Sequence, residues 1–185
     1  MRERTYATEG IILSRRNFGE ADRILTIFSK HYGKMRVMAK GVRRPTSRKR
    51  GSLELFNHVR LFLAKGHNLD IITEAESKNI FSSWRKDLTK VAIAYHLAEV
   101  VARLTPEHQE HKEVFDLLCE AYANLCEYDY WELYPFIQNF KVRVLEELGY
   151  LERNKPTSRN LDIYIEELIN GKLRTKKFLA QIRGN

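Results

Sequence analysis

A chain of 185 residues, 43% hydrophobic and 30% charged, has the composition of a globular protein with room for one ordinary domain or two small ones. Its apolar runs fall far short of the roughly 20 residues that span a bilayer, and the contiguous aliphatics Ile11, Ile12 and Leu13 are too few for a signal-peptide core. The expectation is a cytoplasmic protein with no membrane partner. The formal net charge of +8 is unevenly spread, because residues 1–80 hold 17 Lys and Arg against 8 Asp and Glu, and residues 81–185 hold 15 against 16. Lys30 to Arg50 carries nine bases and no acid. Such a concentration repels itself unless a polyanion arrives.

The first 77 residues read as short strands between turn signals. Tyr6 to Arg16 is a β-rich run, Asn17–Gly19 a turn, and Arg23 to Ser29 a second run rich in Ile, Leu, Thr and Phe. After a turn at His31–Gly33, Lys34 to Lys40 alternates, with Met35, Val37 and Ala39 on one face and Lys34, Arg36, Met38 and Lys40 on the other. Gly41 to Ser52 (GVRRPTSRKRGS) predicts a mobile basic loop. Leu53 to Ala64 predicts the longest strand, with Phe56, His58, Arg60 and Phe62 outward. Lys65–Asn68 is a hairpin turn and Leu69 to Ser77 a fifth strand. Five strands in this length suggest a small barrel, of which the OB-fold is the common five-stranded case.

Beyond Phe81 the apolar spacing becomes helical. Helices are predicted at Lys86–Leu104, Glu107–Cys126 and Tyr130–Leu148, the last stopped by Gly149. A linker (LERNKPTSRN), a short helix at Leu161–Asn170 and a basic tail from Lys172 to Arg183 follow. The fold class is therefore α+β, with a nucleic-acid-binding barrel domain at 1–79 and a helical domain at 80–185.

Catalytic motifs of the phosphate-loop, dinucleotide, serine-elbow and zinc-protease types are absent from the sequence. Glu20 and Asp22 are a weak pair for metal-assisted phosphoryl chemistry, with strand ion pairs the alternative. His108 and His111 sit one helical turn apart, suiting a metal or a solvated helix start. Cys119 and Cys126, the only cysteines, would stand about 10 Å apart along a helix, too far to bridge, and they are too few for a cysteine zinc site. No cofactor is expected.

The positive signal is nucleic-acid binding. Lys34, Arg36, Lys40, Arg43, Arg44, Arg48, Lys49 and Arg50 would neutralise phosphates and release counterions. Phe56 and Phe62, flanking Arg60, would stack bases unless the helical domain covers that face.

The segment from Thr8 to Phe56 resembles the N-terminal domain of the bacterial recombination mediator family RecO. The resemblance rests on the order of T-E-G-I-I-L, F-G-E-A-D-R-I, G-K-M-R-V-M-A-K-G-V-R-R and S-R-K-R before L-E-L-F. It continues through LDIITEAES to F-x-x-x-V-L-E-E-L-G-Y at Phe140–Tyr150. It implies an OB-fold joined to a helical domain, binding of single- and double-stranded DNA, and annealing of complementary strands. With RecR as partner, it also implies exchange of single-strand-binding protein for RecA on DNA, a nucleoid-associated location and no enzymatic turnover. The four-cysteine zinc segment that many members carry after L-G-Y is replaced here by LERNKPTSRN, so no zinc is expected. Alternatives are an RNA-binding OB-fold factor, a metal-dependent nucleic-acid phosphodiesterase using Glu20 and Asp22, and an adaptor whose basic loop binds an acidic peptide.

Overall fold

A computed structural model describes residues 4–155 and 157–179. By internal packing the chain divides into two compact units, one made of residues 1–80 with 106–112, the other of 81–105 with 113–185.

The first unit is built on β1 (Thr5–Phe18), β2 (Asp22–Ser29), β3 (Gly33–Ala39), β4 (His58–Ala64) and β5 (Asp70–Asn79). They form a closed barrel in the order β1-β2-β3-β5-β4, the OB-fold arrangement. β1 is long because it serves two neighbours: residues 5–11 pair with β4 and residues 10–18 with β2, across a register shift between Ile12 and Ser14. That irregularity turns the strand from one partner to the next, as β-bulges at barrel corners do. β3 and β5 close the wall by a short parallel pairing, Val37 with Asp70 and Met38 with Ile71.

Alternation fills the barrel. Leu25, Ile27, Met35, Val37, Ala39, Val59, Leu61, Leu63 and Ile72 form one buried cluster that also takes in Val42 and Leu53 from the β3–β4 connection. Each Val, Leu, Ile or Met side chain among them contributes roughly 1.5–3 kcal/mol on burial. The predicted face of Met35, Val37 and Ala39 is the inner one, and Arg36 and Lys40 are exposed on the other.

Two sequence expectations shift here. The strand predicted from Leu53 begins only at His58, because Phe56 takes a left-handed conformation (φ 68°). The Asn57 amide then closes the turn by donating to the carbonyls of Gly51 (3.0 Å) and Ser52 (2.9 Å). The helix predicted from Glu107 begins only at Lys112. Residues 106–112 instead lie along the barrel: Glu107 bridges Lys34, and the His108 N–H donates to the Lys34 carbonyl at 2.9 Å. The approach is close enough that a Cβ at Gly33 would stand 1.8 Å from the Gln109 carbonyl oxygen. Only glycine fits that position.

The second unit holds α1 (Leu88–Leu104), α2 (Lys112–Asn124), α3 (Leu133–Glu147), α4 (Leu161–Leu168) and the one-turn α5 (Lys176–Leu179). Asp87 caps α1 by accepting from the Thr89 and Lys90 N–H groups, and Asn160 caps α4 in the same way. Gly149 (φ 77°) ends α3 as predicted. The core is not wholly apolar. Trp84 Nε1 donates to the Tyr122 carbonyl at 2.7 Å and Tyr122 Oη to the Ala94 carbonyl at 3.0 Å. Lys141 and Asp162 form a 2.5 Å ion pair whose side chains are 0% and 2% exposed. Cys119 and Cys126 are half-buried and form no disulfide.

The basic tail does not fray over its described part. Leu173 and Leu179 are buried, Glu99 accepts from the Arg174 and Thr175 N–H groups, and Lys172 reaches Glu166 at 2.9 Å. Arg183 lies outside the described residues. Among the described residues no helix is long and apolar enough to cross a membrane.

Candidate nucleic-acid interface

The β1–β2 hairpin tip and the β3–β4 connection meet at one end of the barrel. The connection, expected as a mobile loop, is a chain of turns: Arg44 N–H donates to the Gly41 carbonyl (3.1 Å), Ser47 N–H to Arg44 (3.0 Å) and Leu53 N–H to Lys49 (3.1 Å). Further bonds tie it to the barrel. The Gly41 N–H donates to the Asp22 carboxylate at 2.7 Å. Arg43 donates through its backbone to the Ala21 carbonyl (2.9 Å) and through its guanidinium to Gly19 (3.0 Å). Lys49 Nζ donates to the Ile72 carbonyl at 2.9 Å.

Arg43 and Lys49 are thus half-buried structural cations, and burial pulls the Lys49 ammonium below its usual pKa. Lys40, Arg44, Arg48 and Arg50 are exposed. They display positive charge from a fixed scaffold, which reduces the ordering cost of meeting a polyanion.

Three basic residues outside the sequence-based expectation belong to this end. Arg15 and Arg16 follow the register shift on β1, and Arg23 begins β2. Arg15 and Arg23 converge on Glu54, Arg23 at 3.4 Å, while Arg16 is exposed. The doubled arginine ahead of the N-F-G turn was the available signal. Asp22 accepts the Gly41 N–H instead of pairing with an arginine, and Glu20 is exposed at the tip. Among the described residues no group of three His, Cys, Asp or Glu is placed to hold a metal ion.

The other expected residues lie elsewhere. Lys34 and Arg36 are on the outer face of β3, but the 106–112 segment runs beside them, with Glu107 3.4 Å from the Arg36 guanidinium and Glu110 3.5 Å from His31. Arg60 and Phe62 are on β4, which borders β1 and β5 and not β3. The cross-strand partners of Arg60 are both acidic, Glu9 and Glu76, and Phe62 stands between Ala7 and Glu74. Arg60 sits over the Phe62 ring at 5.2 Å. Phe56, expected as an outward stacking ring, is 3% exposed. Its left-handed backbone breaks the alternation on which that expectation depended.

The same outer face carries a small ionic cluster. Glu9 accepts from Lys78 at 2.6 Å and lies 3.1 Å from His58. The Lys78 bond holds the Glu9 carboxyl below the usual range, and burial pulls the His58 imidazolium down.

At the opposite end of the barrel, where the β2–β3 and β4–β5 turns lie, Thr5, Tyr6, Tyr32, Met35, Lys65, Asp70 and His108 line a cleft of about 520 Å³. Tyr6 Oη donates to Asp70 Oδ2 at 2.5 Å, and Asp70 Oδ1 accepts the Gly66 N–H at 3.1 Å. Burial, with the Asp70 bond second, pushes the Tyr6 phenol above its ordinary pKa. It therefore remains a donor across the physiological range. The Tyr6 and Tyr32 rings meet at a centroid distance of 4.9 Å and an angle of 59°.

Comparison with known proteins agrees with this architecture. Residues 1–81 match the family described as recombination protein O N-terminal, and residues 85–151 match recombination protein O C-terminal. The chain is similar to the DNA repair protein RecO of Roseiflexus sp., at 39% identity over 150 residues, covering 81% of this chain and 52% of the relative. The RecO of Pelotomaculum thermopropionicum is 36% identical over 145 residues, 78% of this chain and 56% of the relative. That of Heliobacterium modesticaldum is 36% identical over 147 residues, 80% and 52%. The chain thus spans about half the length of the curated relatives it matches. With both family domains matched in order over a five-stranded barrel followed by helices, the chain belongs to the RecO family.

Proposed function

We propose that this chain is a non-catalytic DNA-binding mediator of recombinational repair, in which the barrel of residues 1–79 binds DNA and residues 80–185, apart from the 106–112 segment that lies along the barrel, form a separate helical domain. The observation that carries the reading is the basic end of the barrel. Exposed Lys40, Arg44, Arg48 and Arg50 are held on a connection bonded to the hairpin tip, and Arg16 is exposed on β1 two residues before that tip. The name that the relatives bear, DNA repair protein, points the same way.

A rigid array of exposed cations binds phosphates without reading sequence, because its free energy comes from counterion release. It can also hold two complementary strands whose phosphates otherwise repel each other, which is what annealing requires. Lys34, Arg36, Arg60 and Phe62 contribute less in this reading, since carboxylates stand next to them. Arg43 and Lys49 act by holding the connection in place. Single- and double-stranded DNA are the ligands. RecR, single-strand-binding protein and, indirectly, RecA are the protein partners, in the cytoplasm and at the nucleoid.

The test is annealing of complementary oligonucleotides coated with single-strand-binding protein, comparing the parent with an Arg44, Arg48 and Arg50 to Gln variant across salt. Acceleration that the variant loses supports the reading. Binding without acceleration leaves a nucleic-acid-binding OB-fold protein and removes the mediator role.

A further inference from the structure

The cleft at the barrel end away from the arginines combines features that a phosphate-binding patch does not need. Its volume of about 520 Å³ lies within the roughly 300–1,000 Å³ typical of small-ligand sites. Met35 contributes a buried apolar surface to the lining, and Tyr32 contributes a 42% exposed ring. A carboxylate stands inside, fixed by the Tyr6 hydroxyl and the Gly66 N–H. An ionised carboxylate accepts about four hydrogen bonds, so these two bonds leave Asp70 capacity for more. Lys65 is exposed and also lines the cleft.

These groups sort possible ligands. An interior carboxylate repels a phosphate, an aromatic wall attracts a flat heterocycle, and a cation at the mouth attracts the phosphate attached to that heterocycle. Bases with an exocyclic amino group donate to a carboxylate. Thymine has a single N–H between two carbonyl oxygens and meets it poorly.

Resting on the proposed DNA-binding reading, we infer that this cleft is a subsite for one unstacked nucleobase of a single strand. The base is adenine, cytosine or guanine, stacked on Tyr32 with its amino edge on Asp70 and its phosphate near Lys65. The site adds a base preference to a protein whose other DNA contacts are to phosphates. Its distance from the basic end, set by the length of β1 between Thr5 and Phe18, makes it a second anchor along a bound strand.

The experiment uses the full chain and fluorescein-labelled oligothymidylates carrying one central adenine, cytosine, guanine or abasic site, read by anisotropy. The expected result is about tenfold tighter binding of the amino-base oligonucleotides than of all-thymine, in line with the discrimination that one good hydrogen-bonded base contact supplies. Tyr32→Ala should erase the preference and Tyr32→Phe should keep it. Equal affinity for all the oligonucleotides, or a preference that survives Tyr32→Ala, overturns the subsite. If the loop variant still lowers the salt dependence in that case, the DNA-binding reading stands without it. If no oligonucleotide binds, both readings fall. Saturable binding of free deoxyguanosine monophosphate, without discrimination among oligonucleotides, would reassign the cleft to mononucleotides and overturn the strand assignment.

Discussion

The basic end of the barrel and the outer face of β4 both present arginines, and they differ in what stands beside them. At the basic end, Arg44, Arg48 and Arg50 are exposed on a connection whose own sequence from Gly41 to Ser52 holds no acid. On β4, Arg60 lies between Glu9 and Glu76 in the neighbouring strands and over the Phe62 ring. Charge counted along the chain treats these arginines as equals, but cross-strand pairing does not. What a polyanion meets is the charge left after such pairing.

The largest effect should come from neutralising Arg44, Arg48 and Arg50 together. The slope of log K for single-stranded DNA against log salt should fall by about 0.7 for each phosphate no longer neutralised, roughly 2 in all. The melting temperature should stay unchanged, since these side chains are exposed. A salt titration that leaves the slope intact removes the connection from the interface.

Lys49→Met should act in the opposite way. Losing the bond to the Ile72 carbonyl leaves a half-buried acceptor unsatisfied, a cost of about 1–3 kcal/mol. Urea denaturation should show that loss, accompanied by weaker DNA binding only as far as the connection loosens. If stability is unchanged and the slope drops, Lys49 binds phosphate and is not a support.

Glu54→Gln offers a sharper comparison, because it releases Arg15 and Arg23 from their shared carboxylate. Binding should tighten and the slope should rise by about 0.7 to 1.4. Arg60→Ala, at the small end, should change the slope by less than about 0.5, under the change expected for one fully neutralised phosphate. A fall as large as the triple variant's would abolish the distinction between the two regions.

Acid should reveal the β4 face through stability and not through binding. The His58 pKa lies below its unfolded value, first through burial. Its contribution is therefore present above about pH 6.5 and is lost as pH falls from there toward the folded pKa. Glu9, held down first by Lys78, adds a second loss below about pH 4.5, from its unfolded value toward its lowered folded one. His58→Gln should flatten the melting-temperature profile in the first window and leave the second. A profile identical to the parent's would show that His58 does not couple to folding.

Much of the architecture was legible because alternation and helical spacing are local. Met35, Val37 and Ala39 announce their inward face, and Gly149 sits where α3 ends. The misreadings arose where a distant segment competes for the backbone. Residues 107–111 carry a helix-like pattern, yet β3 offers them a hydrogen-bonding edge and Gly33 gives them room. Phe56 is apolar at the right period for an outward ring, and a left-handed turn beside Asn57 buries it.

The sequence by itself determined that the first half is basic and strand-forming, that the second is helical and nearly neutral, and that Lys30 to Arg50 concentrates the charge. These follow from composition and from periods of two and about 3.6 residues. The tertiary structure alone decided which cations stay exposed, because ion pairs such as Arg36 with Glu107 join residues far apart in sequence. It also decided the cleft, where Tyr6, Tyr32, Asp70 and His108 come from four separate stretches of chain. No local pattern encodes that convergence, because barrel closure and the docking of residues 106–112 bring the four together.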